Sequence, residues 1–93
     1  MSATLDTLDD GIDMAALRID GARLWDSLAE MAKIGATPKG GVCRLALTDL
    51  DREGRDQLVR WLREAGCSIR VDRMGNIFAR RAGRNEALAP VIT

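Results

Sequence analysis

At Gly66 the hydrophobic period of this chain changes from 3.6 residues to 2, and that change limits what its 93 residues can build. Upstream, Leu58, Trp61, Leu62 and Ala65 recur at i, i+3, i+4 and i+7, the single apolar stripe of an amphipathic helix. Thr48 offers a hydroxyl to the free N–H groups of the first turn, and Asp49 and Asp51 complement the positive helix end. Gly66 follows the last stripe residue, where a left-handed stop suits glycine. Downstream, Ile69 and Val71 alternate with Ser68 and Arg70, the pattern of a half-buried strand. Asp72-x-x-Gly75 fits a type I turn closed by glycine, and Ile77, Phe78 and Ala79 lead out as the return strand. The stretch from Thr48 to Arg81 therefore predicts a helix, a tight stop and a β-hairpin. Gly54 weakens the first turns of that helix by up to about 1 kcal/mol relative to alanine.

Residues Met1 to Ala16 mix Ser, Thr, Asp and Gly with scattered apolar side chains and predict a loose or short-helical acidic tail, bounded at residue 17. Asp20 is a suitable N-cap for a first helix carrying Leu24, Leu28, Met31 and Ala32 on one face, stopped by Gly35 and Pro38. Trp25 borders that face and reads as a packing residue rather than a ligand stacker. Thr37 to Gly41 is a loop by composition. Its glycine pair beside Lys39 lacks the G-x-x-x-x-G-K-[ST] pattern of a phosphate-binding loop. Val42 to Leu47 predicts an extended segment packed on the second helix. Ala82 to Ala89 reads as a polar turn region, and Pro90 to Thr93 as the start of a further, buried strand.

Charge and residue inventory exclude more than they suggest. Fourteen basic and fourteen acidic side chains cancel, so bulk charge recruits neither nucleic acid nor an anionic membrane. Arg70, Arg73, Arg80, Arg81 and Arg84 crowd the hairpin, yet Phe78 is the only phenylalanine, too few exposed aromatics for a base-stacking sheet. The chain has no histidine, which removes Ser-His-Asp and Cys-His catalysis and any histidine-based zinc site. Cys43 and Cys67 read as reduced, packed or partly buried thiols of a cytosolic protein, with a redox pair as the lesser reading. Asp49, Asp51 and Glu53 are explained by their helix start rather than by catalysis. No basic stretch precedes an apolar run at the N-terminus, so no secretory signal is expected. No apolar run reaches the length of a transmembrane helix.

Taken together, Gly40-Gly41-Val42-Cys43-Arg44-Leu45-Ala46-Leu47-Thr48, then Asp51, Arg55, Gly66 and Asp72-x-x-Gly75-Asn76, carry a family resemblance in their order and spacing. From Arg18 to Thr93 the chain resembles the N-terminal end of the N-carbamoyl-L-amino-acid hydrolase, allantoate amidohydrolase and β-ureidopropionase group, within the M20 peptidase clan. The resemblance implies the N-terminal portion of an α/β fold, a three-layer α/β/α di-metal hydrolase domain. This chain would supply two helices, a β-hairpin and the start of a further strand over residues 18–93. It also implies a cytoplasmic, homo-oligomeric enzyme with a second, smaller domain for dimerisation and substrate closure. Two divalent metals, zinc or manganese, would activate a bridging water against a carbamoyl or ureido substrate while a glutamate moves the proton.

In that group a strand like Ala89 to Thr93 leads into a Gly-Ser-His-x-Asp segment that holds the first metal ligand. No catalytic residue and no metal ligand is therefore assigned within this chain, which is expected to be inactive alone, to bind no catalytic metal and to self-associate through an open sheet edge. The resemblance carries over Asp72 and Gly75 as the structural turn, and Arg44 and Asn76 as substrate-proximal positions. For Arg44 a scaffold ion pair is an equal reading. The rival reading is a small non-enzymatic binding module whose arginine-rich hairpin meets an acidic partner.

Overall fold

The computed structural model describes residues 13–93. Most of the acidic tail thus lies outside the described residues. Its last part forms a single 3-10 turn, Met14–Ala16, capped by Asp13, whose carboxylate accepts the Ala15 N–H at 3.0 Å.

Two α-helices follow, α1 (Gly21–Lys33) and α2 (Asp49–Glu64). Both start at the expected caps. The Asp20 carboxylate accepts the Arg23 N–H at 3.0 Å, and the Thr48 hydroxyl accepts the Asp51 N–H at 3.3 Å. Both end at glycines in the left-handed region, Gly35 at φ +79° and Gly66 at φ +87°. The strands β1 (Ser68–Val71) and β2 (Ile77–Arg80) pair antiparallel, with Ser68 opposite Arg80 and Val71 opposite Ile77. Ile69, Val71, Ile77 and Ala79 share one face of this ribbon, and α2 packs on β1. On the other face Arg70 lies over the Phe78 ring, 5.0 Å from its centroid.

Among the described residues no hydrophobic side chain is fully buried. This corrects two expectations. The α1 stripe is open, with Leu24 and Leu28 exposed and Trp25 72% accessible rather than packed. Cys43 is also exposed, whereas Cys67 is half-buried as expected; both are free thiols. The physical reason is geometric. Two helices and a two-stranded ribbon make too few layers to cover an amphipathic face on every side. On α2 the deepest point is not the leucine stripe but Gly54, the one buried residue of that helix.

The strand expected from Pro90 to Thr93 does not form. The two strands pair only with each other, and Val91 is 94% exposed. A strand exists only where a neighbouring edge supplies its hydrogen bonds, and none reaches this segment. Between β2 and Pro90 the polar turn is real: the Leu88 N–H donates to the Asn85 carbonyl at 3.2 Å, and Arg80 pairs with Glu86. Val42 is likewise not part of a strand, but forms an isolated bridge with Ala36 that closes the Thr37–Gly41 loop. No helix among the described residues is long and apolar enough to cross a membrane.

Candidate functional site

The four candidate positions fall into two clusters on consecutive residues of one helix. At the first, Arg44 leaves the loop after α1 and turns its guanidinium back under that helix. Its Nη1 donates to the Met31 carbonyl at 2.9 Å and to the Ile34 carbonyl at 2.8 Å. The Met31 carbonyl also accepts the Ile34 N–H at 3.2 Å, and both acceptors lie at the C-terminal end of α1, where a cation complements the negative helix end. The stem of Arg44 passes over α2 at Gly54, where a β-carbon would lie 3.1 Å from Cδ and 3.3 Å from Nε. Arg44 is therefore a bolt between α1 and α2, fixed by carbonyls. Of the two roles read for it, the scaffold role is the one these bonds perform, through main-chain carbonyls rather than an ion pair.

Gly35 makes the approach possible. Its carbonyl accepts the Cys43 N–H at 2.9 Å, and a β-carbon there would meet the Cys43 carbonyl oxygen at 2.5 Å. Such a distance leaves no room for any side chain.

The second cluster is the hairpin turn. Asp72 Oδ1 accepts the N–H groups of Met74 and Asn76, each at 2.9 Å, and Oδ2 accepts the Asn76 side-chain amide at 2.9 Å. The Gly75 N–H donates to the Asp72 carbonyl at 3.1 Å, with Gly75 at φ +87°. Bonding from the Asn76 side chain, then from its backbone and from Met74 and Gly75, holds the Asp72 carboxyl below its ordinary value of 3.8. The Asn76 amide spends a donor on this turn. Arg55, next to Gly54 on α2, donates to the Gly75 carbonyl and moors the turn to the helix.

The structure thus brings Asp72, Gly75 and Asn76 together and leaves Arg44 apart from them, on the neighbouring position of α2. Gly54 and Arg55 are the residues whose roles sequence reasoning missed. Gly54 reads in sequence as a mere weak point of a helix. A glycine inside an otherwise well-capped helix was the available signal that something must approach closely there. Arg55 stood out only as one residue of the family resemblance, since an arginine on a helix gives no hint of which carbonyl it will reach.

These clusters hold no reactive arrangement. Among the described residues no group of three or more His, Cys, Asp or Glu side chains is placed to hold a metal ion. Asp51 accepts the Leu47 N–H at 3.2 Å and Asp72 serves its own turn, so the nearest carboxylates are occupied by the backbone. The di-metal site implied by the resemblance does not fit these residues. A shallow groove between α1 and α2, lined by Arg23, Asp26, Glu30, Trp61 and Glu64, mixes charges of both signs and includes none of the four candidates.

Comparison with known proteins gives the clusters a context. No protein-family model matches the chain. The N-carbamoyl-L-amino-acid amidohydrolase of Rhizobium meliloti is 50% identical over 74 residues, covering 80% of this chain and 18% of that protein. That of Geobacillus stearothermophilus is 40% identical over 67 residues, 72% of this chain and 16% of the relative. Among solved structures, a hydantoinase/carbamoylase family amidase from Burkholderia vietnamiensis superposes with a TM-score of 0.78 at 66% identity, over 82% of this chain and 18% of its own. Another, from Burkholderia multivorans, gives 0.77 at 69% identity over 81% and 18%. The chain spans less than a fifth of the length of the relatives it matches.

Proposed function

We infer that this chain, which belongs to the N-carbamoyl-L-amino-acid amidohydrolase and hydantoinase/carbamoylase amidase group over the residues it shares with them, is a scaffold segment of such an enzyme. The reaction of the whole protein would be hydrolysis of the carbamoyl C–N bond of an N-carbamoyl-L-amino acid or related ureido acid. Water adds to the carbamoyl carbon, the amino acid leaves with its nitrogen protonated, and the carbamate breaks down to carbon dioxide and ammonia. The observation that carries this reading is the 50% identity over 74 residues to a protein of that name. The conserved shape of the solved amidases over the same part of the chain supports it.

Within that reading this chain's residues do not act on substrate. Arg44 ties the C-terminal turn of α1 to α2, and Arg55 ties α2 to the hairpin, so that the order helix, helix, hairpin is held at a fixed geometry. Asp72, Gly75 and Asn76 shape the turn, and a substrate-proximal place for Asn76 and Arg44 belongs to the proposal. So do the three-layer α/β/α domain, a zinc or manganese pair held elsewhere in a full-length chain, the M20 relationship, a homo-oligomer and a cytoplasmic location. The small-molecule substrate class is likewise part of the reading, with neither nucleic acid nor membrane as partner. The binding-module alternative gains no support: Arg80 is paired with Glu86 and Arg70 lies over Phe78, so part of its arginine face is already engaged.

The test replaces the aligned segment of the Rhizobium meliloti enzyme with residues of this chain. The chimera is expected to hydrolyse N-carbamoyl-L-amino acids in a metal-dependent manner, while the 93-residue chain alone does not. A chimera that folds and binds metal but turns over no carbamoyl or ureido substrate would sink the reading.

A further inference from the structure

Leu47 is the residue whose local chemistry is hardest to explain from this chain alone. It sits at φ +67°, the one non-glycine among the described residues in the left-handed region. There a β-carbon crowds the adjacent carbonyl, and Gly or Asn is the usual occupant. The turn that imposes this conformation is well fixed. Thr48 donates its N–H to the Leu45 carbonyl at 3.2 Å and its hydroxyl to the same oxygen at 2.6 Å, while Asp51 accepts the Leu47 N–H. Backbone geometry thus asks for glycine, and leucine stands there instead.

Nor does burial repay the strain. The Leu47 side chain is 99% exposed, and Leu45, two residues earlier, is 68% exposed. Strain of this kind persists where a side chain is required for something beyond local folding. Other surfaces are unfinished in the same sense: Leu24 and Leu28 are open on α1, and each strand of the ribbon has an unpaired edge.

We propose that Leu45 and Leu47 are the anchor residues of a docking surface, and that its occupant is the remaining polypeptide of an amidohydrolase-length chain. The solved amidases supply the argument for that occupant. They superpose on 81% and 82% of this chain, with TM-scores of 0.77 and 0.78, inside chains of which it makes only 18%. The same helices, loop and hairpin therefore exist where four-fifths of a larger fold is available to cover them. The inference rests on the functional reading above only for the identity of the occupant.

The experiment mixes this chain with the Rhizobium meliloti amidohydrolase shortened by its aligned segment, co-expressed, and compares wild type with Leu47→Gly. Association is measured by co-elution and titration, and the denaturation midpoint of the isolated chain is measured in parallel. Glycine relieves the backbone strain, so the isolated variant should unfold at an equal or higher denaturant concentration. Removing a leucine that the proposed complex buries should nevertheless weaken association about tenfold or more. Equal affinity of the two forms overturns the anchor role, and no binding by the wild type overturns the docking surface. Leu47-dependent self-association without heteromeric binding assigns the surface to a second copy and overturns the occupant.

If the shortened enzyme is insoluble with every form of the chain, the single-chain chimera decides. Leu47→Gly should lower its stability while failing to lower that of the isolated chain, and a rise in both overturns the proposal. A complex that forms with the predicted Leu47 dependence but hydrolyses no N-carbamoyl-L-amino acid leaves the docking surface standing and refutes the functional reading alone.

Discussion

Arg44 and Gly54 are in direct apposition: a β-carbon added at Gly54 would stand 3.1 Å from Cδ of Arg44. Two opposing effects meet at this position. Alanine gains up to about 1 kcal/mol of helix propensity over glycine. The added methyl must also push aside a stem whose far end is held by two carbonyls. Because that end is fixed, the stem cannot yield without lengthening a hydrogen bond. Gly54→Ala is expected to be destabilising by roughly 1 kcal/mol net, within the range of overpacked sites. A urea midpoint above wild type would show that Arg44 yields freely.

Arg44→Ala should cost about 2 kcal/mol, since it removes a charged donor shared by two half-buried carbonyls. Arg44→Lys should recover only part of this, because the lysine side chain is shorter and its ammonium must reach both carbonyls without the guanidinium that extends past Gly54. Amide exchange of the last turn of α1 is the sharper readout. It should accelerate in Arg44→Ala while the β1–β2 pairs keep their protection.

The left-handed glycines should rank by contact as well as by φ. Gly66→Ala and Gly75→Ala carry backbone strain with no closer obstacle than 3.8 Å, and each should cost about 1–2 kcal/mol. Gly35→Ala adds a collision at 2.5 Å with the Cys43 carbonyl and should be clearly worse than either. Equal thermal midpoints for the three variants would refute this ordering.

Asp72 makes the hairpin turn sensitive to acid. Its carboxyl titrates below 3.8 in the folded chain, held there first by the Asn76 side-chain amide. A lowered folded value means the carboxylate's contribution is present above the unfolded pKa and is lost as pH falls through the folded one. Wild type and Asp72→Asn should therefore differ in turn stability near neutral pH and converge in strong acid. Chemical shifts of Met74 and Asn76 followed from pH 6 downward would show it, and a difference that persists below the folded pKa would count against it.

Whatever is written in short-range chemistry was legible without coordinates. Asp20 and Thr48 cap helices because a hydroxyl or carboxylate three residues before an N–H reaches it in any context. Gly66, and the Asp72–Asn76 turn with its glycine, likewise follow from backbone sterics and local hydrogen bonds. The shared order of these local signals also pointed to the amidohydrolase group, to which the 50% identity over 74 residues now ties the chain.

Three other matters depended on separations that no periodicity encodes. One is the reach of Arg44 to Met31, thirteen residues away, and another that of Arg55 to Gly75, twenty residues away. The third is the openness of the α1 stripe. A sequence pattern says which face of a helix is apolar, but only packing in three dimensions decides whether a second layer is there to cover it. For the same reason Pro90 to Thr93 has the composition of a strand and is not one here. Apolarity belongs to the residues, whereas a hydrogen-bonding partner belongs to the assembled fold.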